Sequence, residues 1–135
     1  MLGRIMPIRN YHGLSGSLAC LEDTDTDFFQ VKRVFYIYGV PAYEIRGNHA
    51  TRCSDLIMIP VVGEVTIQLN DGDDSEVYVL SEKCNGLYIP KMTWIAATNF
   101  SEDTVLLVLA QEDYVNSKYI YNYDDFINMK KEMMR

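Results

Sequence analysis

The sequence predicts an all-β fold, an antiparallel sandwich or barrel followed by a short C-terminal helix. Three observations predict it. Short runs rich in Val, Ile, Tyr and Phe recur along the 135 residues, at spacings of roughly eight to twelve residues and separated by Gly, Pro and Asp-Gly, as in small sandwiches and barrels. Several of these runs alternate apolar and polar with period two, which places every second side chain on one face of a strand. Helical spacing occurs only in the tail around Asp124, Phe126, Ile127 and Lys130, where acidic residues come mostly early and basic ones late, as the helix dipole favours. A chain of this length is expected to form one domain over residues 1–135.

Taken in order, Met1 to Arg9 carries Ile5, Met6 and Ile8 between two arginines and reads as an exposed or edge strand leading into a Tyr11-His12-Gly13 turn. Ser17 to Leu21 is short and apolar and ends in the acidic turn Glu22 to Asp27. That turn lacks the mid-loop glycine and closing glutamate of a calcium hand, so it reads as a solvated turn. Val31 to Tyr38 is the strongest strand, with Arg33, Phe35 and Ile37 on one face and Val34, Tyr36 and Tyr38 on the other. Gly39-Val40-Pro41 breaks it. Asp55 to Val62 is continuously apolar, Gly63 turns the chain, and Glu64 to Leu69 alternates; the two are expected to form a hairpin. Asn70-Asp71-Gly72 supplies the next turn, with glycine available for positive φ, and Glu76 to Leu80 pairs back. Gly86 to Pro90, Thr93 to Thr98 and Thr104 to Ala110 complete the strands.

Composition excludes several function classes. A formal charge of −7 opposes nonspecific nucleic-acid binding and an anionic membrane surface, so a phosphate-bearing ligand requires a local arginine cluster. Cys20, Cys53 and Cys84 are odd in number and far apart, and no N-terminal stretch reads as a signal peptide or membrane span; a reduced cytosol is expected. The chemistry is expected at Arg46-Gly47-Asn48-His49-Ala50-Thr51-Arg52. Strict alternation groups Tyr43, Ile45, Gly47, His49 and Thr51 on the more apolar face, hence inward, and sets Arg46 on the other.

Two resemblances follow from quoted residues. His49-Ala50-Thr51, Asp55 and Gly63, then Pro90, Met92, Ile95 and Asn99, resemble in outline the two signature boxes of the cupins, which implies an antiparallel jelly-roll barrel. Of the four ligands of a metal cupin only His49 is intact, with Thr51 and Ile95 in place of two others and Asp55 a shortened form of the fourth. A tight divalent site needs three or four converging ligands, so no metal is expected. More closely, Gly16-Ser17-Leu18, Lys32-Arg33-Val34-Phe35-Tyr36, Arg46 to Ala50, Asn70-Asp71-Gly72, Gly86 to Pro90, Trp94 and Tyr119 to Phe126 resemble the metal-free cupin sugar-nucleotide 3,4-ketoisomerases over nearly the whole chain.

That resemblance implies an isomerase, without cofactor, that moves the ketone of a dTDP-linked 4-keto-6-deoxyhexose from carbon 4 to carbon 3 in deoxy-amino-sugar biosynthesis. It also implies a homodimer that exchanges its N-terminal strand. The reaction moves a proton from beside a carbonyl, through an enediol, to the neighbouring carbon. An imidazole with an unperturbed pKa of roughly 6.5 suits that task. The family assigns it to two histidines of an R-G-x-H-A-H stretch, of which His49 matches the first and Thr51 stands for the second. A D-x-R-G segment of the family is Gly13-Leu14-Ser15-Gly16 here. The expected catalytic set is therefore His49 with Thr51 and Tyr36. Arg33, Tyr38, Tyr43, Arg46, Arg52 and Trp94 are expected to bind substrate, the arginines as candidates for the pyrophosphate. The alternative is a catalytically impaired cupin that binds a sugar nucleotide or pairs with an active paralogue.

Overall fold

Alternation along the chain becomes pairing. The computed structural model describes residues 2–26 and 30–134, so the Asp27 end of the acidic turn lies outside the described residues. Within them the elements are β1 (Arg4–Pro7), β2 (Arg9–Gly13), β3 (Gly16–Cys20), a 3-10 turn (Asp23–Asp25), β4 (Arg33–Tyr38), β5 (Arg46–Thr51), β6 (Leu56–Val62), β7 (Val65–Asn70), β8 (Ser75–Leu80), β9 (Asn85–Ile89), β10 (Trp94–Thr98), β11 (Val105–Ala110), α1 (Tyr114–Ser117), β12 (Tyr119–Ile120) and α2 (Tyr123–Met133). One sheet has the order β1-β9-β6-β11-β4 and the other β12-β5-β10-β7-β8. Their pairings are antiparallel.

The core lies between the two sheets. Leu56, Met58, Leu106 and Val108 from one meet Val65, Ile67, Leu69 and Ile95 from the other in a single buried cluster. Each fully buried side chain of this kind contributes about 1.5–3 kcal/mol relative to exposure. Burial alternates strictly along β11 and β4, so Arg33, Phe35 and Ile37 turn inward while Val34, Tyr36 and Tyr38 turn outward; the sequence separates these two faces of β4 without saying which is inward.

The tail helix forms where its spacing predicts. The Asn122 side chain accepts from the Asp125 N–H at 3.0 Å, Asp124 and Asp125 occupy the first turn and Lys130 and Lys131 the last, each sign matched to the dipole. Phe126 is buried against Ala50, Met92 and Ile120, which fastens α2 to the second sheet.

Two expected turns are corrected. Tyr11, His12 and Gly13 belong to β2, with His12 opposite Ser17 and Gly13 opposite Gly16, so the chain reverses at Leu14-Ser15. This β2–β3 hairpin forms its own two-stranded sheet. Likewise β6 and β7 do not pair with each other: β6 joins β11 and β9, and β7 joins β10 and β8. The chain crosses from sheet to sheet at Gly63, which holds φ +83°. The crossing is pinned by the Glu64 N–H, which donates to Ser101 Oγ at 2.9 Å and Thr104 Oγ1 at 3.2 Å. A continuous apolar run buried on both faces carries no information about which neighbour it pairs with.

Candidate active site

The site is shaped by an irregularity in β5. Gly47 and Asn48 have φ +82° and +54°, and the register with β10 shifts there: Ala97 faces Arg46, Ala96 faces Gly47 and Ile95 faces His49. Asn48 is the extra residue of a β-bulge. A Cβ at Gly47 would come within 3.1 Å of the Ile95 carbonyl oxygen, so the close approach and the backbone angle both require glycine. The bulge undoes strict alternation and brings Arg46 to the same side as His49, where the sequence reading had set it opposite. Both residues line a cavity of about 760 Å³ between the sheets.

Its deep side is apolar, built from Met58, Ile95, Ala97 and Leu106. Arg33, Phe35 and Ile37 of β4 form one wall, and Tyr114, Tyr119 and Tyr121, from the segment before α2, form another. Glu44 and Arg46 line it as well, and both are exposed. Among the described residues His49 Nδ1 is the buried side-chain polar atom without a hydrogen-bond partner. The His49 ring meets Tyr119 edge-on at 4.8 Å between centroids and Tyr121 at 6.1 Å. Burial pulls the imidazole pKa below its ordinary value, and the charges of Arg46 and Arg33 push the same way. At neutral pH the ring is therefore uncharged and able to accept a proton.

Arg33 is held among rings. Its guanidinium lies 4.2 Å from the Phe35 centroid and 5.3 Å from that of Tyr114, and Nη1 donates to the Tyr119 hydroxyl at 2.8 Å. Tyr119 and Tyr121 stack at 5.9 Å, and the Tyr114 and Tyr121 hydroxyls lie 3.0 Å apart. The hydrogen bond with Tyr114, then burial, pushes the Tyr121 pKa up to about 12.

The other expected site residues are dispersed. Thr51 is 2% exposed and is not among the cavity-lining residues; its hydroxyl donates to the Ser54 carbonyl oxygen. Tyr36 and Tyr38 border the cavity, yet their rings lie on the outer face of β4, 61% and 69% exposed. Tyr43 is 84% exposed in the loop before β5. Arg52 lines a separate groove with Met92 and Met129, and Trp94 packs on Tyr123 and Phe126 of α2. Asp55 accepts from the Tyr88 hydroxyl and the Lys91 N–H, both at 2.8 Å. Among the described residues no three His, Cys, Asp or Glu side chains converge as a cation site, and no helix is long and apolar enough to cross a membrane.

Sequence reasoning passed over Tyr114, Tyr119 and Tyr121 as site residues. The period-two spacing of Tyr119 and Tyr121 is a usable signal, but β12 holds only Tyr119 and Ile120, and Tyr121 follows it.

Comparison with known proteins agrees with this geometry. The chain is 33% identical over 123 residues to the TDP-4-oxo-6-deoxy-alpha-D-glucose-3,4-oxoisomerase of Aneurinibacillus thermoaerophilus, covering 87% of this chain and 88% of that one. The crystal structure of QdtA, a sugar 3,4-ketoisomerase from Thermoanaerobacterium thermosaccharolyticum, in complex with TDP, superposes with a TM-score of 0.92 at 32% identity, covering 99% of this chain and 98% of the other. A mutant of that enzyme, solved in complex with TDP-4-keto-6-deoxyglucose, gives 0.91 at 32% identity, over 97% and 95% of the two chains. Residues 2–131 match the family FdtA: WxcM-like, C-terminal. The chain belongs to that family, and its all-β jelly roll with a short C-terminal helix is the fold of these sugar-nucleotide ketoisomerases.

Proposed function

We propose that this chain is a 3,4-oxoisomerase of TDP-4-oxo-6-deoxyglucose or a closely related hexose, moving the ketone from carbon 4 to carbon 3 through an enediol. The observation that carries the reading is His49, a buried imidazole kept uncharged, lining a cavity with two arginines on its walls. Burial keeps this base neutral near working pH, the condition for abstracting a proton beside a carbonyl. A cavity of about 760 Å³ falls within the usual range for ligand sites, roughly 300–1,000 Å³. Arg46, exposed at the cavity, is the residue we assign to the pyrophosphate, because a guanidinium matches phosphate oxygens bidentately. Arg33 is held deeper, by Phe35 and Tyr119, and acts on the sugar end.

The partner is a TDP-linked keto sugar, and the assembly we favour is a homodimer exchanging its N-terminal strand. Supporting it, β1 is a four-residue edge strand, and the β2–β3 hairpin beside it leaves Tyr11, Leu14 and Leu18 exposed. Light scattering at twice the chain mass is the expected result. The three cysteines are unpaired, which suits a reducing cytosol.

A second reading, a sugar-nucleotide binder without turnover, is favoured by one observation: the hydroxyl of Thr51 is spent on Ser54, so it supplies no second proton-transfer group. Incubation with the 4-keto sugar nucleotide in deuterated water decides between them. The isomerase reading expects the 3-keto product, in which carbon 4 carries either deuterium or the proton returned from carbon 3. Tight TDP binding with no 3-keto product establishes the binder instead.

A further inference from the structure

Shifting a ketone to the adjacent carbon moves protons on carbon and on oxygen. His49 accounts for the carbon protons; a second group must serve the oxygens. Thr51 is engaged with Ser54. Phe35, on the inward face of β4, has no hydroxyl, and Tyr36 lies on the outward face. Tyr119 differs from all three. It lines the cavity, its ring lies 4.8 Å from that of His49, and its hydroxyl oxygen accepts from Arg33 Nη1 at 2.8 Å. Because the oxygen serves as acceptor there, its own hydrogen has no acceptor among the described residues. A hydroxyl whose lone pair is held by a guanidinium is a strengthened donor. The guanidinium is itself braced by Phe35 and Tyr114, so the pair is fixed before any ligand arrives, the condition under which donors stabilise an oxyanion best.

We propose that Tyr119, backed by Arg33, is the second catalytic residue of the isomerisation and moves the oxygen protons while His49 moves the carbon proton. This rests on the isomerase reading above. His49 removes the proton from carbon 3 and the C–H electrons form the C3–C4 double bond. The electrons of the carbonyl bond pass to the carbon 4 oxygen, which takes the Tyr119 proton. The phenolate left behind is stabilised by Arg33 and takes the proton of the carbon 3 hydroxyl. The carbon 3 ketone forms, the double-bond electrons pass to carbon 4, and the imidazolium returns its proton there. Both side chains end as they began, and no electrons are gained or lost overall.

The test is Tyr119→Phe, which keeps the ring against His49 and Tyr121 and removes only the hydroxyl. With the 4-keto sugar nucleotide, kcat is expected to fall about 10²- to 10³-fold, with KM and TDP affinity within about threefold and the thermal midpoint unchanged. Arg33→Lys, which keeps the charge, is expected to retain more activity than Arg33→Met. A Tyr119→Phe enzyme that turns over at the wild-type rate overturns the role of Tyr119 and leaves the isomerase reading intact. So does a variant whose lost activity is matched by lost TDP binding or lost fold. An unmodified chain that forms no 3-keto product from the 4-keto sugar nucleotide overturns both.

Discussion

Replacing Thr51 by valine separates a catalytic from a structural role at the position where the family places its second histidine. The Thr51 hydroxyl donates to the Ser54 carbonyl oxygen, and the residue is 2% exposed. Valine keeps the shape and removes the donor, leaving a buried acceptor short of a partner at about 1–3 kcal/mol. With an unfolding entropy of about 2.1 cal/mol/K per residue, the 135-residue chain has about 0.28 kcal/mol/K. A loss of about 2 kcal/mol then lowers Tm by about 7 °C. Because the hydroxyl is committed to the backbone, kcat/KM is expected within about twofold of the unmodified chain, whereas loss of a general acid or base costs about 10²- to 10⁴-fold. Calorimetry and a coupled isomerase assay on the same preparation read both numbers. A hundredfold drop in kcat/KM at unchanged Tm would refute the structural assignment and return Thr51 to the chemistry.

Other outcomes follow from the same geometry. The His49 pKa is lowered mainly by burial, so the acid limb of the kcat/KM profile is expected below the ordinary histidine value of about 6.5; a limb above it contradicts the buried neutral ring. The sign for stability is the same. As pH falls through the unfolded value near about 6.5 the unfolded chain takes up this proton first, so His49 lowers stability progressively until the folded ring also protonates. Arg46→Gln is expected to weaken TDP binding about 10- to 100-fold, the worth of a charge-assisted hydrogen bond, while Arg52→Gln leaves it unchanged; calorimetric titration reads both. Gly63→Ala sets a Cβ within 2.7 Å of Thr104 Oγ1, Thr104 Cα and Ser101 Oγ at φ +83°. Left-handed backbone costs a non-glycine residue about 1–2 kcal/mol, and displaced Ser101 and Thr104 bonds to Glu64 add about 1 kcal/mol each. The urea midpoint should fall accordingly with the m-value unchanged.

The elements most legible in the sequence are those whose environment is two-sided. β4 has one face in the core and one exposed, so its period-two division into two faces reads directly from the sequence. The tail helix announces itself by its spacing and its charge order. Pairing was less legible. β6 is buried from Leu56 to Pro60, so nothing in its pattern distinguishes a hairpin with β7 from a crossing to the other sheet. At the site, the more apolar period-two face of this stretch places His49 inward, and His49 lines the cavity while Thr51, expected on the same face, does not. Arg46 was misplaced because two consecutive left-handed residues, Gly47 and Asn48, leave no mark that period-two reasoning registers. The tyrosine wall was missed for a different reason. α1 and β12 are four and two residues long, shorter than any periodicity can resolve, although Asp113, which caps α1 by accepting from the Asn116 N–H at 2.7 Å, is a recognisable start signal.

The bulge at Gly47–Asn48 makes the strand's length, more than its composition, the variable that matters. Upstream of it the side chains are geared to one phase and downstream to the other, so straightening the strand with Asn48 retained would swing the Arg46 guanidinium outward while His49 kept its place, whereas excising Asn48 would leave the two residues two apart on one face. The side chains proposed to grip phosphate and to move protons thus share one face of the strand through a single inserted residue. Substitutions along β5 act on one side chain at a time, whereas a further single-residue insertion there changes the phase of one relative to the other.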